Sequence, residues 1–152
     1  MFTFYLLLKF IHIAAAITAV GANITYGAWN VRAQQDAPHI AFALKGIQFI
    51  DNRIANPAYG VVLLTGLLMV FIGHWSIVSL WIIAALVLFV VVAVVGAAFF
   101  SPVLKNQIRL AEAGDTSSPE FVAASRRSAM VGPIVGLVVA VILVMMVFKP
   151  TL

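Results

Sequence analysis

Residues Ile54 to Leu104, IANPAYGVVLLTGLLMVFIGHWSIVSLWIIAALVLFVVVAVVGAAFFSPVL, run for 51 positions without an Asp, Glu, Lys or Arg. A helix rising 1.5 Å per residue needs about 20 residues to cross a hydrocarbon core of about 30 Å, so this stretch is two crossings and a turn. The turn falls at Gly73-His74-Trp75-Ser76, where small and interfacial residues interrupt the apolar run. Two further charge-free stretches, residues 10–31 and 128–148, are 22 and 21 residues long and supply one crossing each. The expected fold is an all-α polytopic membrane protein, an antiparallel four-transmembrane-helix bundle forming a single integral membrane domain over residues 1–152. The spacing predicts crossings at about Thr3 to Trp29, Pro57 to Trp75, Ile77 to Val103 and Ala129 to Phe148.

Composition points the same way. Apolar residues make up 64% of the chain and charged residues 9%, with a mean hydropathy of +1.13. Soluble domains carry roughly 25% charged residues, so this chain has too little polar surface to cover a globule in water. The absence of cysteine excludes disulfides, thiolate nucleophiles, iron-sulfur clusters and cysteine zinc sites. A net charge of +4 marks membrane-facing loops, not nucleic-acid binding. Seven of the nine basic residues, Arg32, Lys45, Arg53, Lys105, Arg109, Arg126 and Arg127, lie between the first and second crossings or between the third and fourth. The positive-inside rule makes these segments cytoplasmic, and an even number of crossings then places both termini outside. No basic residue precedes the first apolar run, which is too long for a cleaved signal peptide and reads as the first helix.

The charged segments have structure of their own. Ile40, Leu44, Ile47 and Ile50 or Asp51 recur at near-helical spacing and predict a short helix lying at the interface before Asn56-Pro57 opens the second crossing. The third helix is expected to continue past Pro102 through Lys105 to Ala113 and stop at Gly114. Ser117 or Ser118 then caps the last helix, with Pro119 and Glu120 in its first turn. Asp51, Asn52 and Arg53 are expected to form a latch with Arg126 or Glu120.

In the first helix, Tyr5, Lys9, His12, Ala16, Ala19, Asn23 and Tyr26 alternate in steps of four and three and share one stripe. Polar groups facing lipid are costly, so the stripe faces protein. His12 reads first as interhelical glue, a neutral imidazole donating to a carbonyl, Asn23 or Thr18. Its functional alternative is a cofactor ligand, with Lys9 either an interfacial anchor or a partner for a carboxylate such as a haem propionate. His74 reads as an interfacial residue beside Trp75, although Met145 and Met146 are soft groups that could join it on copper. On the last helix, Ser125, Ser128 or Ala129, Gly132, Gly136 and Ala140 form a small-residue stripe that would let a neighbouring backbone approach, and Gly132-Pro133 should bend the helix.

Leu8-Lys9-Phe10-Ile11-His12-Ile13, Asp51 to Pro57, Gly73 to Trp75 and the closing Met146-Val147-Phe148-Lys149-Pro150 occur in an order that resembles a bacterial family of integral membrane proteins, domain of unknown function twenty-two sixty-nine. That family is itself distantly similar to the HemJ-type protoporphyrinogen oxidases and the CopD-type copper-resistance proteins, which share the Lys-x-x-His opening carried here by Lys9 and His12. The resemblance implies a multi-pass protein of the bacterial inner membrane. HemJ-type enzymes have further histidine and lysine positions in the third helix, whereas Ile77 to Phe100 contains neither, nor a carboxylate.

The leading functional reading is a non-enzymatic membrane bundle or membrane-complex component. Its partners are the lipid bilayer and either another membrane protein or a second copy; no catalytic residue, metal or nucleic acid is expected. The alternative is a haem-binding redox protein or protoporphyrinogen-oxidase-like enzyme in which His12 and Lys9 hold the cofactor. A small-solute carrier is less favoured, because no charged ring or pair of broken helices is visible. Because the chain is free of cysteine, single substitutions report topology directly: Ser117→Cys should react with a membrane-impermeant thiol reagent only from the cytoplasmic side, and Ser76→Cys only from outside.

Overall fold

The computed structural model describes residues 2–150, which contain helices and turns and no strand. α1 (Phe2–Gln34) is followed by a 3-10 turn (Ala37–His39). α2 (Ile40–Ile50), a π-helical turn (Asp51–Ala55) and α3 (Asn56–Ile72) then succeed one another as a single rod. After a connection at residues 73–79, α4 (Leu80–Val95), a second π turn (Gly96–Phe100) and α5 (Ser101–Glu112) form another. α6 (Pro119–Phe148) completes the fold. Four rods, Thr3–Gln34, Ala37–Ile72, Leu80–Glu112 and Pro119–Phe148, are long and apolar enough to cross a membrane.

At 30 to 36 residues, the rods are about 45 to 54 Å long by the helical rise, against a hydrocarbon core of about 30 Å. They therefore outrun their crossings, and the excess lies at the end that carries the basic residues. The segment expected as an interfacial helix, α2, instead continues into α3. Both π turns stop two residues before a proline, Pro57 or Pro102. Proline has no N–H, so the carbonyl four residues earlier loses its helical donor. The chain adapts with five-back bonds, Asn56 N–H to the Asp51 carbonyl and Ser101 N–H to the Gly96 carbonyl. The helix ends behave as their residues dictate: Ser118 Oγ accepts the Phe121 N–H at 3.1 Å, and Gly114, with φ +76°, follows α5.

α1 packs along α3 and α4 along α6, and the two pairs are clasped at the basic end, where α2 meets α5, α5 meets α6 and α1 touches α6. The principal buried apolar cluster sits in this clasp, with Leu44 and Ile47 of α2 against Leu104 and Ile108 of α5 and Phe121 of α6. An ion pair between Lys45 and Glu112 ties α2 to α5 across its surface. The buried residues of α6, Phe121, Ala124 and Ser128, all fall in its first ten positions, and beyond them its side chains are half-buried or exposed. At the hairpin end, Lys149 lies 4.6 Å from the centre of the Trp75 ring and 5.3 Å from Trp81, and the two rings meet edge-on at 5.7 Å. His74 turns the chain there with φ +52° and is exposed.

Stability should follow this division. Leu44 is 2% exposed and Leu137 is 69% exposed on the outer face of α6. Leu44→Ala should cost about 2–5 kcal/mol and Leu137→Ala less than about 0.5 kcal/mol, read as unfolding of the protein in mild detergent.

Candidate functional site

The polar stripe of α1 turns toward α3. Ala19 and Tyr26 are buried, His12 and Asn23 half-buried, and Lys9, near the start of the stripe, is exposed. His12 Nδ1 lies 3.0 Å from Thr65 Oγ1, while the Thr65 hydroxyl donates to the Val61 carbonyl at 2.6 Å. The one hydroxyl proton is thereby used, so Nδ1–H is the donor to Thr65 and Nε2 carries the lone pair. Gly66 makes room for the ring: a Cβ there would stand 3.1 Å from His12 Cε1. Of the expected partners of His12, the two side chains are engaged elsewhere. Thr18 donates to the Ala14 carbonyl at 2.9 Å, and Asn23 donates both to the Ala19 carbonyl at 3.0 Å and to the Tyr59 hydroxyl. Thr65 went unnoticed in the sequence; its signal was a single hydroxyl in the aliphatic run Val61 to Ile72.

Between the two helix pairs lies a cleft of about 650 Å³, within the size range of small-molecule sites. Its polar groups are Asn23, Tyr26, Asn30 and Gln34 of α1, Asp51 of the first π turn, Asn56 and Tyr59 of α3, Ser101 of α5 and Ser128 of α6. Phe89, Phe100 and Leu63 line it too, together with Gly60, Gly96, Ala97, Ala129, Gly132 and Gly136. Tyr26 stacks on Phe100 at 5.7 Å, and Tyr59 meets Phe89 edge-on at 6.0 Å. Ser125 of the α6 stripe accepts the Gln107 amide of α5 at 3.1 Å, but Gly132 and Gly136 do not receive a neighbouring backbone as expected. Their α6 face is turned to the cleft, because α3 lies against α1, and a Cβ on Gly132 or Gly136 would meet nothing within 4 Å.

Asp51 is the only charged residue in the lining. Tyr26 donates its hydroxyl to Oδ1 at 3.2 Å and Asn56 its amide to Oδ2 at 3.4 Å. The expected latch to Arg126 or Glu120 is therefore replaced by contacts to α1 and α3, since the π turn presents Asp51 to the cleft and not to the outer surface. Ser128 is 6% exposed and its Oγ has no hydrogen-bond partner. α6 runs through Pro133 without a break, which leaves the Ala129 carbonyl without its helical donor. Neither His12 nor Lys9 lines the cleft. Among the described residues, no three His, Cys, Asp or Glu side chains gather in a group that could hold a metal ion.

The α1–α3 seam can be weighed by mutation. Thr65→Val removes the acceptor of His12 and should cost about 1 kcal/mol, the upper part of the range for interhelical hydrogen bonds in membranes. A double-mutant cycle with His12→Leu, followed by unfolding in detergent, should return a coupling of the same sign and order.

No curated protein and no solved structure matches this chain. A family model described as "Predicted integral membrane protein (DUF2269)" matches residues 6–150, nearly the whole length. That match spans all four membrane-length helices, the seam between α1 and α3 and every residue of the cleft. The chain is an integral membrane protein and belongs to the DUF2269 family.

Proposed function

We propose that this protein is a non-enzymatic ligand-binding component of the bacterial inner membrane, with its basic end in the cytoplasm, and that the ligand occupies the cleft between the α1–α3 and α4–α6 pairs. The observation that carries this reading is Ser128: a hydroxyl 6% exposed, without a partner, in the wall of a cleft of about 650 Å³. Leaving such a group unsatisfied costs about 1–3 kcal/mol, a cost that a polar ligand atom would offset. The open α6 face at Gly132 and Gly136 supplies room, and the seven basic residues of the clasp supply the orientation.

The second reading, a haem-binding redox protein related to the HemJ-type enzymes, draws on His12, whose Nε2 lone pair is the atom a metal would take. Since neither His12 nor Lys9 lines the cleft, a haem there would occupy a different place from the ligand proposed above.

One preparation separates the two. The protein is purified in mild detergent, its visible spectrum is recorded, and retained small molecules are identified by native mass spectrometry. The native protein should retain a small molecule that Gly132→Phe and Gly136→Phe both lose while keeping their thermal stability. Equal retention in all three would overturn the cleft reading. A Soret band abolished by His12→Ala would favour the haem reading.

A further inference from the structure

The cleft combines one carboxylate, aromatic rings and an unpartnered hydroxyl in its wall, with no cationic residue in the lining to balance the carboxylate. Asp51 is contacted by two neutral donors, Tyr26 and Asn56, and the lining includes no Lys, Arg or His. A carboxylate in a confined, largely apolar space without a counter-charge is costly, and a cation arriving from outside would relieve it. The rings of Tyr26, Tyr59, Phe89 and Phe100 all border the same space, and aromatic faces attract cations. The wall of this space also holds Ser128, whose hydroxyl has no partner. A compact metal ion would want several oxygen ligands at short range, whereas most of this lining is apolar and the space is large enough for an organic body.

We propose that the cleft binds a primary ammonium group attached to an apolar body, with Asp51 as counter-ion and the space along Gly132 and Gly136 holding the apolar part. This rests on the cleft being a ligand site. The same chemistry is offered by a free amphipathic amine and by the headgroup of an ethanolamine phospholipid.

The test is equilibrium binding of decylamine and decanol to the full-length protein in phosphatidylcholine nanodiscs, for the native chain, Asp51→Asn and Asp51→Glu. The native protein and Asp51→Glu should bind the amine more tightly than the alcohol. Asp51→Asn should lose about tenfold or more for the amine and keep its affinity for the alcohol, which also shows that the variant is folded. Replacing part of the phosphatidylcholine with phosphatidylethanolamine should weaken amine binding if the lipid headgroup is the resident ligand; unchanged amine binding assigns the site to a free amine. Equal affinity of the native protein for amine and alcohol would overturn the ammonium assignment while leaving the cleft as a binding site. Binding of neither probe would overturn both, and sodium binding without amine binding would overturn the assignment in favour of an inorganic cation.

Discussion

The architecture depends on where water is available to drive apolar surfaces together. Inside lipid, a leucine gains little by leaving its neighbours in the bilayer for another helix, so helices associate there through close packing and hydrogen bonds. In water the same side chain contributes roughly 25 cal/mol per Å² buried. The two regimes are visible along a single helix: α6 buries Phe121, Ala124 and Ser128 near its start and turns Leu137, Val144 and Val147 outward further on. The clasp of α2, α5 and the first turns of α6 carries the principal buried core. In the crossings α1 packs closely along α3 and α4 along α6 over small or aliphatic buried residues such as Ala19, Ala58, Ile82 and Ala85, with the His12–Thr65 bond, the Asn23–Tyr59 bond and the ring pairs as added ties.

That division explains why a cleft survives in so small a bundle. Clasping fixes the separation of the two helix pairs at one end, and the tryptophans with Lys149 join α6 to the α3–α4 connection at the other. Between them no apolar driving force closes the gap, and the small residues of α6 have nothing bulky to fill it. The two prolines contribute from outside the gap: each is preceded by a widened turn, one delivering Asp51 and the other Phe100 to the lining. Local backbone chemistry thus sets which side chains the cleft presents.

Most of the architecture could be read from the spacing of charges. The four crossings, the turn around His74, the stop at Gly114 and the Ser118 cap follow from hydropathy and capping rules that need only neighbouring residues. The stripe from Tyr5 to Tyr26 was legible as a protein-facing surface for the same reason. Its partners were not, since Thr65 and Tyr59 are separated from His12 and Asn23 by 53 and 36 residues and only the helix pairing brings them together. For Asp51 the sequence suggests a solvated latch to Arg126 or Glu120, whereas a π turn shifts the register and sends it toward Tyr26 and Asn56. The α6 stripe suggests close approach of a neighbouring backbone, but small side chains suit a close helix and a cleft equally well, and sequence spacing does not distinguish them.

The placement of the core also bears on biogenesis. Each half of the molecule, α1 with the α2–α3 rod and the α4–α5 rod with α6, can enter the bilayer as an antiparallel pair, because its crossings need little from the other half. The joining surfaces of α2, α5 and α6 lie together at one end of the bundle. A chain divided within residues 73–79 keeps α2 on one fragment and α5 and α6 on the other, so the buried cluster between them is what would bring the two fragments together.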